Sequence, residues 1–113
     1  MFKRYHEIDF SREEIKHLKD VLNDMHEFLR DYGFSTHSKW VTKILSSVIR
    51  EDSKDFQRLV LAPEFIGGAG SICDIQIRDD KTGERFDHLI NTFLNLAYSV
   101  GLRSKYLKSR IRD

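Results

Sequence analysis

The residues most able to do chemistry cluster in the stretch EFIGGAGSICDIQI, residues 64–77, where Gly67, Gly68 and Gly70 fall within four positions. Glycine-rich loops can bind phosphate because bare backbone N–H groups converge on an anion. A P-loop also needs G-x-x-x-x-G-K-[ST], and no lysine lies between residues 55 and 80; the dinucleotide pattern G-x-G-x-x-G is absent too. The loop does hold Ser71 and Asp74 in an S-x-x-D spacing, which can satisfy backbone donors at a helical turn. A packing and turning role is the first expectation, a small-anion site the second. On the first, a Gly68→Val change should unfold or misfold the chain.

Ser71, Asp74 and His88 contain the residue types of a nucleophilic triad. The flanking sequence is not G-x-S-x-G and nominates no oxyanion hole, so acyl-transfer chemistry is not expected. Cys73 sits beside Asp74, whose charge would disfavour a thiolate, and reads as a small buried thiol. His6, His17, His26, His37 and His88 are scattered, with no H-x-x-x-H pair, and no metal or other cofactor is expected.

The composition narrows what can position such groups. A chain of 113 residues fits one domain, 1–113, and 40% hydrophobic with 33% charged residues fits a folded core. No run approaches the roughly 18–20 apolar residues that span a bilayer, no apolar secretory segment opens the chain, and one cysteine suits a reducing compartment. A cytoplasmic protein without a membrane partner is the expectation. The net charge of +1 gives no general attraction to nucleic acid.

The periodicity predicts a mainly α fold of four or five helices. Ser11 and Glu14 form a capping-box pattern ahead of a first helix starting near Arg12, with Ile15, Leu18, Leu22, Met25 and Leu29 on one face and Gly33 as its stop. A second helix, capped by Ser35 or Thr36 and running to about Arg50, turns Trp40, Val41, Ile44, Leu45, Val48 and Ile49 inward and completes a helical hairpin. Asp52 or Ser53 caps a short lid helix that Pro63 ends. Ile75 and Ile77 mark a short extended segment or hairpin, with a turn at Asp80-Lys81-Thr82-Gly83. A long helix from about Glu84 to Val100 follows, carrying Phe86, Leu89, Ile90, Phe93, Leu96 and Ala97, and Gly101 ends it. A last turn or helix begins at Ser104.

At 100° per residue, Glu13, Asp20, Asp24, Glu27 and Asp31 fall within about 40° of one line on the first helix, opposite its apolar face. Such a stripe suits a solvated face or an acidic docking surface for a basic partner; paired catalytic carboxylates are a weaker fit, because general-acid work needs desolvation. Lys39, Lys43 and Arg50 give the second helix the opposite sign, either solvated or paired with the first helix. The long helix turns out His88, Asn91, Asn95, Tyr98 and Ser99, a polar but uncharged face that suits coverage by the tail or by a partner. The basic tail, Arg103 to Asp113, raises the alternative of a nucleic-acid-binding or regulatory module.

The pattern formed by Ile66, Gly67, Gly68, Gly70, Ser71, Ile72, Asp74, Ile75 and Ile77 resembles the GGxGSxxD core of a family of small bacterial proteins, with a tryptophan-bearing second helix before it (HSKWVTKIL) and a C-terminal helix after it. Some of these look like immunity proteins of contact-dependent growth inhibition or other polymorphic toxin systems. The resemblance implies a cytoplasmic binder of a cognate toxin domain, a nuclease being the expected class, with no enzyme activity of its own. It implies structural glycines and brings no catalytic residue. Ile66 stands where an aromatic is usual. On this reading Glu13, Asp20, Asp24, Glu27 and Asp31 are the first candidates for the toxin interface, and His88, Asn91, Asn95 and Tyr98 the second; oligomeric state is left open.

Overall fold

The computed structural model describes residues 7–104, and within them the chain is mainly helical with no strand. The elements are α1 (Glu14–Asp31), α2 (Ser35–Ile49), α3 (Ser53–Val60), α4 (Pro63–Ile66), a 3-10 turn at Ile72–Asp74, and α5 (Asp80–Ser99). The helical hairpin, the lid and the long C-terminal helix are all present. The expected last turn or helix, starting at Ser104, lies outside the described residues from 105 onward, and Ser104 itself is not helical.

α1 begins two residues later than its pattern suggests, and the Ser11–Glu14 box is not made. Asp9 intervenes: its carboxylate accepts both the main-chain N–H and the hydroxyl of Ser11, while Glu13 takes the N-cap position without a side-chain cap. At the other end the stop works as read. Gly33 has φ +86°, Phe34 N–H reaches Leu29 O at 2.7 Å and Gly33 N–H reaches Arg30 O at 3.2 Å, a Schellman arrangement that satisfies the last carbonyls. The chain re-enters a helix at once, so α2 is capped by Phe34 with no side-chain oxygen, and neither Ser35 nor Thr36 serves.

The buried face of α1 is wider than the five predicted residues, since Val21 and Phe28 join Ile15, Leu18, Leu22, Met25 and Leu29. These seven cover an arc of about 140°. Two neighbours account for the width. α2 packs along one side, where Ser38 Oγ donates to His26 O at 2.7 Å, and α5 packs along the other, where Phe28 stacks on Phe86 at 5.1 Å. On α2, Val41, Ile44 and Val48 are buried but Ile49 is 61% exposed, because it lies about 100° from the line through those three. Buried Ser38 and Ser47 flank them instead, each hydroxyl satisfied by a main-chain carbonyl.

Asp52 caps α3 through Asp55 N–H as expected, at 3.0 Å. Pro63 does not end α3; that helix closes at Leu61, and the ring sits in the first turn of α4, where a missing N–H costs nothing. The cations of α2 turn away from α1: Arg50 pairs with Asp52 and Asp55, and Arg58 also holds Asp55.

The chain then turns at the glycines. Gly67 N–H closes onto Pro63 O at 2.8 Å, and a Cβ on Gly67 would stand 2.5 Å from both Pro63 Cα and Pro63 O. Gly68 has φ +93° but open space around it, so its requirement is conformational and the crowding anticipated there belongs to Gly67. Ile75 is extended at φ −64°, ψ 128°, but residues 75–77 form neither a strand nor a hairpin. The predicted turn at Asp80-Lys81-Thr82-Gly83 is the first turn of α5: Asp79 accepts from both Thr82 N–H and Thr82 Oγ, which starts the helix four residues before Glu84. Gly83 admits Ile77 O, which lies 3.2 Å from where a Cβ would sit.

The ends of the described chain are tied together. Ile8 N–H donates to Ser53 Oγ, Asp9 N–H to Val100 O, and Ser99 Oγ to Glu14 Oε2 at 3.1 Å. Arg12, then the Glu14 main-chain N–H, then Ser99 hold the Glu14 carboxyl down from the ordinary 4.5 to about 2.

Two outcomes follow for stability. Gly67→Ala should cost about 3 kcal/mol through overpacking, against about 1 kcal/mol for Gly68→Ala from backbone conformation alone; denaturant unfolding giving the reverse order would contradict the crowding at Pro63. Because the folded carboxyl of Glu14 is depressed, its contribution is present above pH 4.5 and disappears as pH falls toward about 2. Glu14→Gln should therefore lower the denaturant midpoint at pH 7 and converge with the parent near pH 2; a gap constant across that range would show that ionisation is not involved.

Candidate functional site

Ser71, Asp74 and His88 do not assemble into a triad. Ser71 is buried at 2% exposure and its hydroxyl has no hydrogen-bond partner among the described residues, whereas Asp74 and His88 are exposed. No base is in hydrogen-bond reach of that hydroxyl. Nor does it cap the turn: only main-chain atoms close Ile72–Asp74, through Asp74 N–H to Ser71 O at 3.1 Å. Cys73 is half-buried where full burial was expected, and lines a cleft of about 380 Å³ with Ile75, Ile77, Gly83, Phe86 and Asp87. No group of three or more His, Cys, Asp or Glu side chains among the described residues is placed to hold a metal ion.

The glycine loop has one tether that its sequence does not announce. His37 Nε2 lies 2.9 Å from Gly70 O, and since a carbonyl only accepts, that nitrogen carries the proton. The ring also meets Phe34 edge-on at 5.9 Å. The loop is thereby pinned to the first turn of α2, and between them lies a second cleft of about 260 Å³, lined by Thr36, His37, Trp40, Glu64 and Gly70. Trp40 is fixed in its wall: Nε1 donates to Leu59 O at 3.0 Å, which satisfies a carbonyl at the end of α3, and the Lys43 ammonium stands 5.1 Å from the ring centroid.

Glu13, Asp20, Asp24, Glu27 and Asp31 are all exposed on α1, directed away from α2 and α5. Asp31 pairs with Arg30 at 3.3 Å and Glu27 accepts weakly from Asn23 at 3.5 Å. No ion pair among the described residues engages Glu13, Asp20, Asp24 or Glu27. Lys16, Lys19 and Arg30 border the stripe on one side at helical spacing, so the surface is acidic along a line and mixed at one margin.

The second candidate face divides. His88, Asn91 and Asn95 are exposed on α5, and Asn95 Nδ2 donates back to Asn91 O at 2.9 Å. Tyr98 is half-buried because the chain folds back on it: the Arg103 guanidinium lies 4.1 Å from the ring centroid and Nη1 donates to Tyr98 O at 2.6 Å. Arg103, read from sequence as part of a basic tail, is thus committed to α5; the other basic tail residues are outside the described region. Ser99 is engaged by Glu14.

Sequence reading missed the Trp40–Glu64 cleft, because its walls come from α2, α4 and the glycine loop, brought together only by α3 and the turn at Pro63. Comparison with known proteins adds no constraint on these surfaces: no family model matches the chain, and no curated protein or solved structure is significantly similar to it.

Proposed function

We propose that this chain acts by stoichiometric binding, as an immunity protein that neutralises the toxin domain of a contact-dependent growth inhibition or related system in the cytoplasm. A nuclease is the expected class of toxin. The observation that carries the reading is the outward line of Glu13, Asp20, Asp24 and Glu27, exposed and without ion-pair partners among the described residues, on a helix held along two sides. A nuclease must bind a polyanion, so its active-site surface is basic. A rigid acidic helix complements such a surface, speeds encounter through long-range attraction and excludes the nucleic acid without any chemistry of its own. The GGxGSxxD resemblance supplies the biological setting, and the glycines serve the fold.

Replacing Asp20, Asp24 and Glu27 together by Lys should leave helicity unchanged, since all three are exposed. The association rate with the cognate toxin domain should fall about tenfold or more at low salt, with a smaller effect as ionic strength rises. Surface plasmon resonance across a salt series, with growth protection measured in parallel, gives the readout. Unchanged association and full protection would remove α1 as the interface.

A further inference from the structure

The cleft between α2, α4 and the glycine loop has the chemistry of a socket for one cationic side chain. Its five lining residues are Thr36, His37, Trp40, Glu64 and Gly70. The wall is an indole that cannot swing away, because Nε1 is held by Leu59 O. Glu64 of α4 also lines the cleft, and its exposed side chain is engaged by no ion pair among the described residues. The His37–Gly70 hydrogen bond ties together two of the lining residues, one from α2 and one from the glycine loop. Lys43 approaches Trp40 from the C-terminal side of α2 and is not part of the lining, whereas Thr36 and His37 lie on the N-terminal side, so the cation already at the indole does not fill the cleft.

We infer that this cleft receives an arginine side chain from the partner, its aliphatic stem against Trp40 and its guanidinium on Glu64. The biological use of the socket rests on the binding function proposed above; its chemistry does not. Two features favour arginine. The volume of about 260 Å³ exceeds what a small anion or a methyl group would fill. An apolar wall with one carboxylate also suits the weakly hydrated, planar guanidinium better than the strongly hydrated lysine ammonium. A buried arginine is also among the residues that most often anchor an interface. The acidic line of α1 would then attract a basic partner, and the socket would fix its register.

Trp40 is the single tryptophan of the chain, so tryptophan emission comes from a ring that lines this cleft. Titration of the intact protein with N-acetyl-arginine amide should give a saturable change in tryptophan fluorescence, weakened tenfold or more in Glu64→Gln. N-acetyl-norleucine amide, the uncharged control, should give none. Circular dichroism of Glu64→Gln should match the parent. The inference is overturned by no saturable change with the arginine probe, by an equal response to norleucine, or by an undiminished response in Glu64→Gln. Reversal of Asp20, Asp24 and Glu27 should leave this titration unaltered. Loss of the titration with neutralisation intact therefore sinks the socket alone, while neutralisation insensitive to the stripe, with the titration intact, sinks the proposed α1 interface alone.

Discussion

α1 is buried on two sides at once, against α2 and α5, and the remaining structure answers to that constraint. A helix that packs on one neighbour needs an apolar arc of about 100°, whereas the seven buried residues of α1 span about 140°. Val21 and Phe28 extend the arc toward α5, where Phe28 is stacked between Tyr32 and Phe86. The remaining circumference faces outward, and Glu13, Asp20, Asp24, Glu27 and Asp31 form a line within it, bordered on one side by Lys16, Lys19 and Arg30. The acidic line is therefore the part of α1 that packing cannot use, displayed on a backbone with little freedom to move.

The same constraint assigns work to the short elements. α3 and α4 do not touch α1 extensively; they close the core from the α2 side through Phe56 and Phe65, both edge-on to Phe93 of α5 at 6.3 and 5.4 Å. α3 is held to α2 by the Arg50–Asp55–Arg58 pairs outside and by Trp40 Nε1 on Leu59 O inside. Surface pairs of this kind contribute little each, so the aromatic contacts carry the joint. The turn at Ala62–Pro63 then sets α4 beside α2, which is how Glu64 comes to line one cleft with Trp40.

Legibility in the sequence tracked the range of the interactions involved. Helix periods, the Gly33 stop and the Asp52 cap depend on residues within five positions and were readable. The Ser11–Glu14 box failed although it is equally local, because Asp9 offered Ser11 a charged acceptor and Arg12 and Ser99 drew Glu14 elsewhere. Asp80-Lys81-Thr82-Gly83 has a turn composition, yet Asp79 and Thr82 form a helix cap and the apolar residues beyond prolong the helix; local propensity yielded to packing. The acidic line of the candidate interface was visible because it lies on one helix. The Trp40–Glu64 cleft was not, since its residues are separated by a helix and a proline turn whose joint geometry no spacing encodes.

On the binding function proposed, charge and shape divide between these two surfaces. Exposed carboxylates act at a distance and are screened by salt, so under that proposal they would govern how often a basic partner arrives. A fixed indole in a cleft lined by a single carboxylate residue acts only on contact and would govern how long that partner stays. Neither surface requires a shifted pKa or an activated nucleophile, and the one hydroxyl buried in the glycine motif, Ser71, is sealed from solvent. Gly67 closes the end of α4 onto Pro63. A change at Gly67 should therefore disturb α4, which carries Glu64, and leave the acidic line of α1 in place.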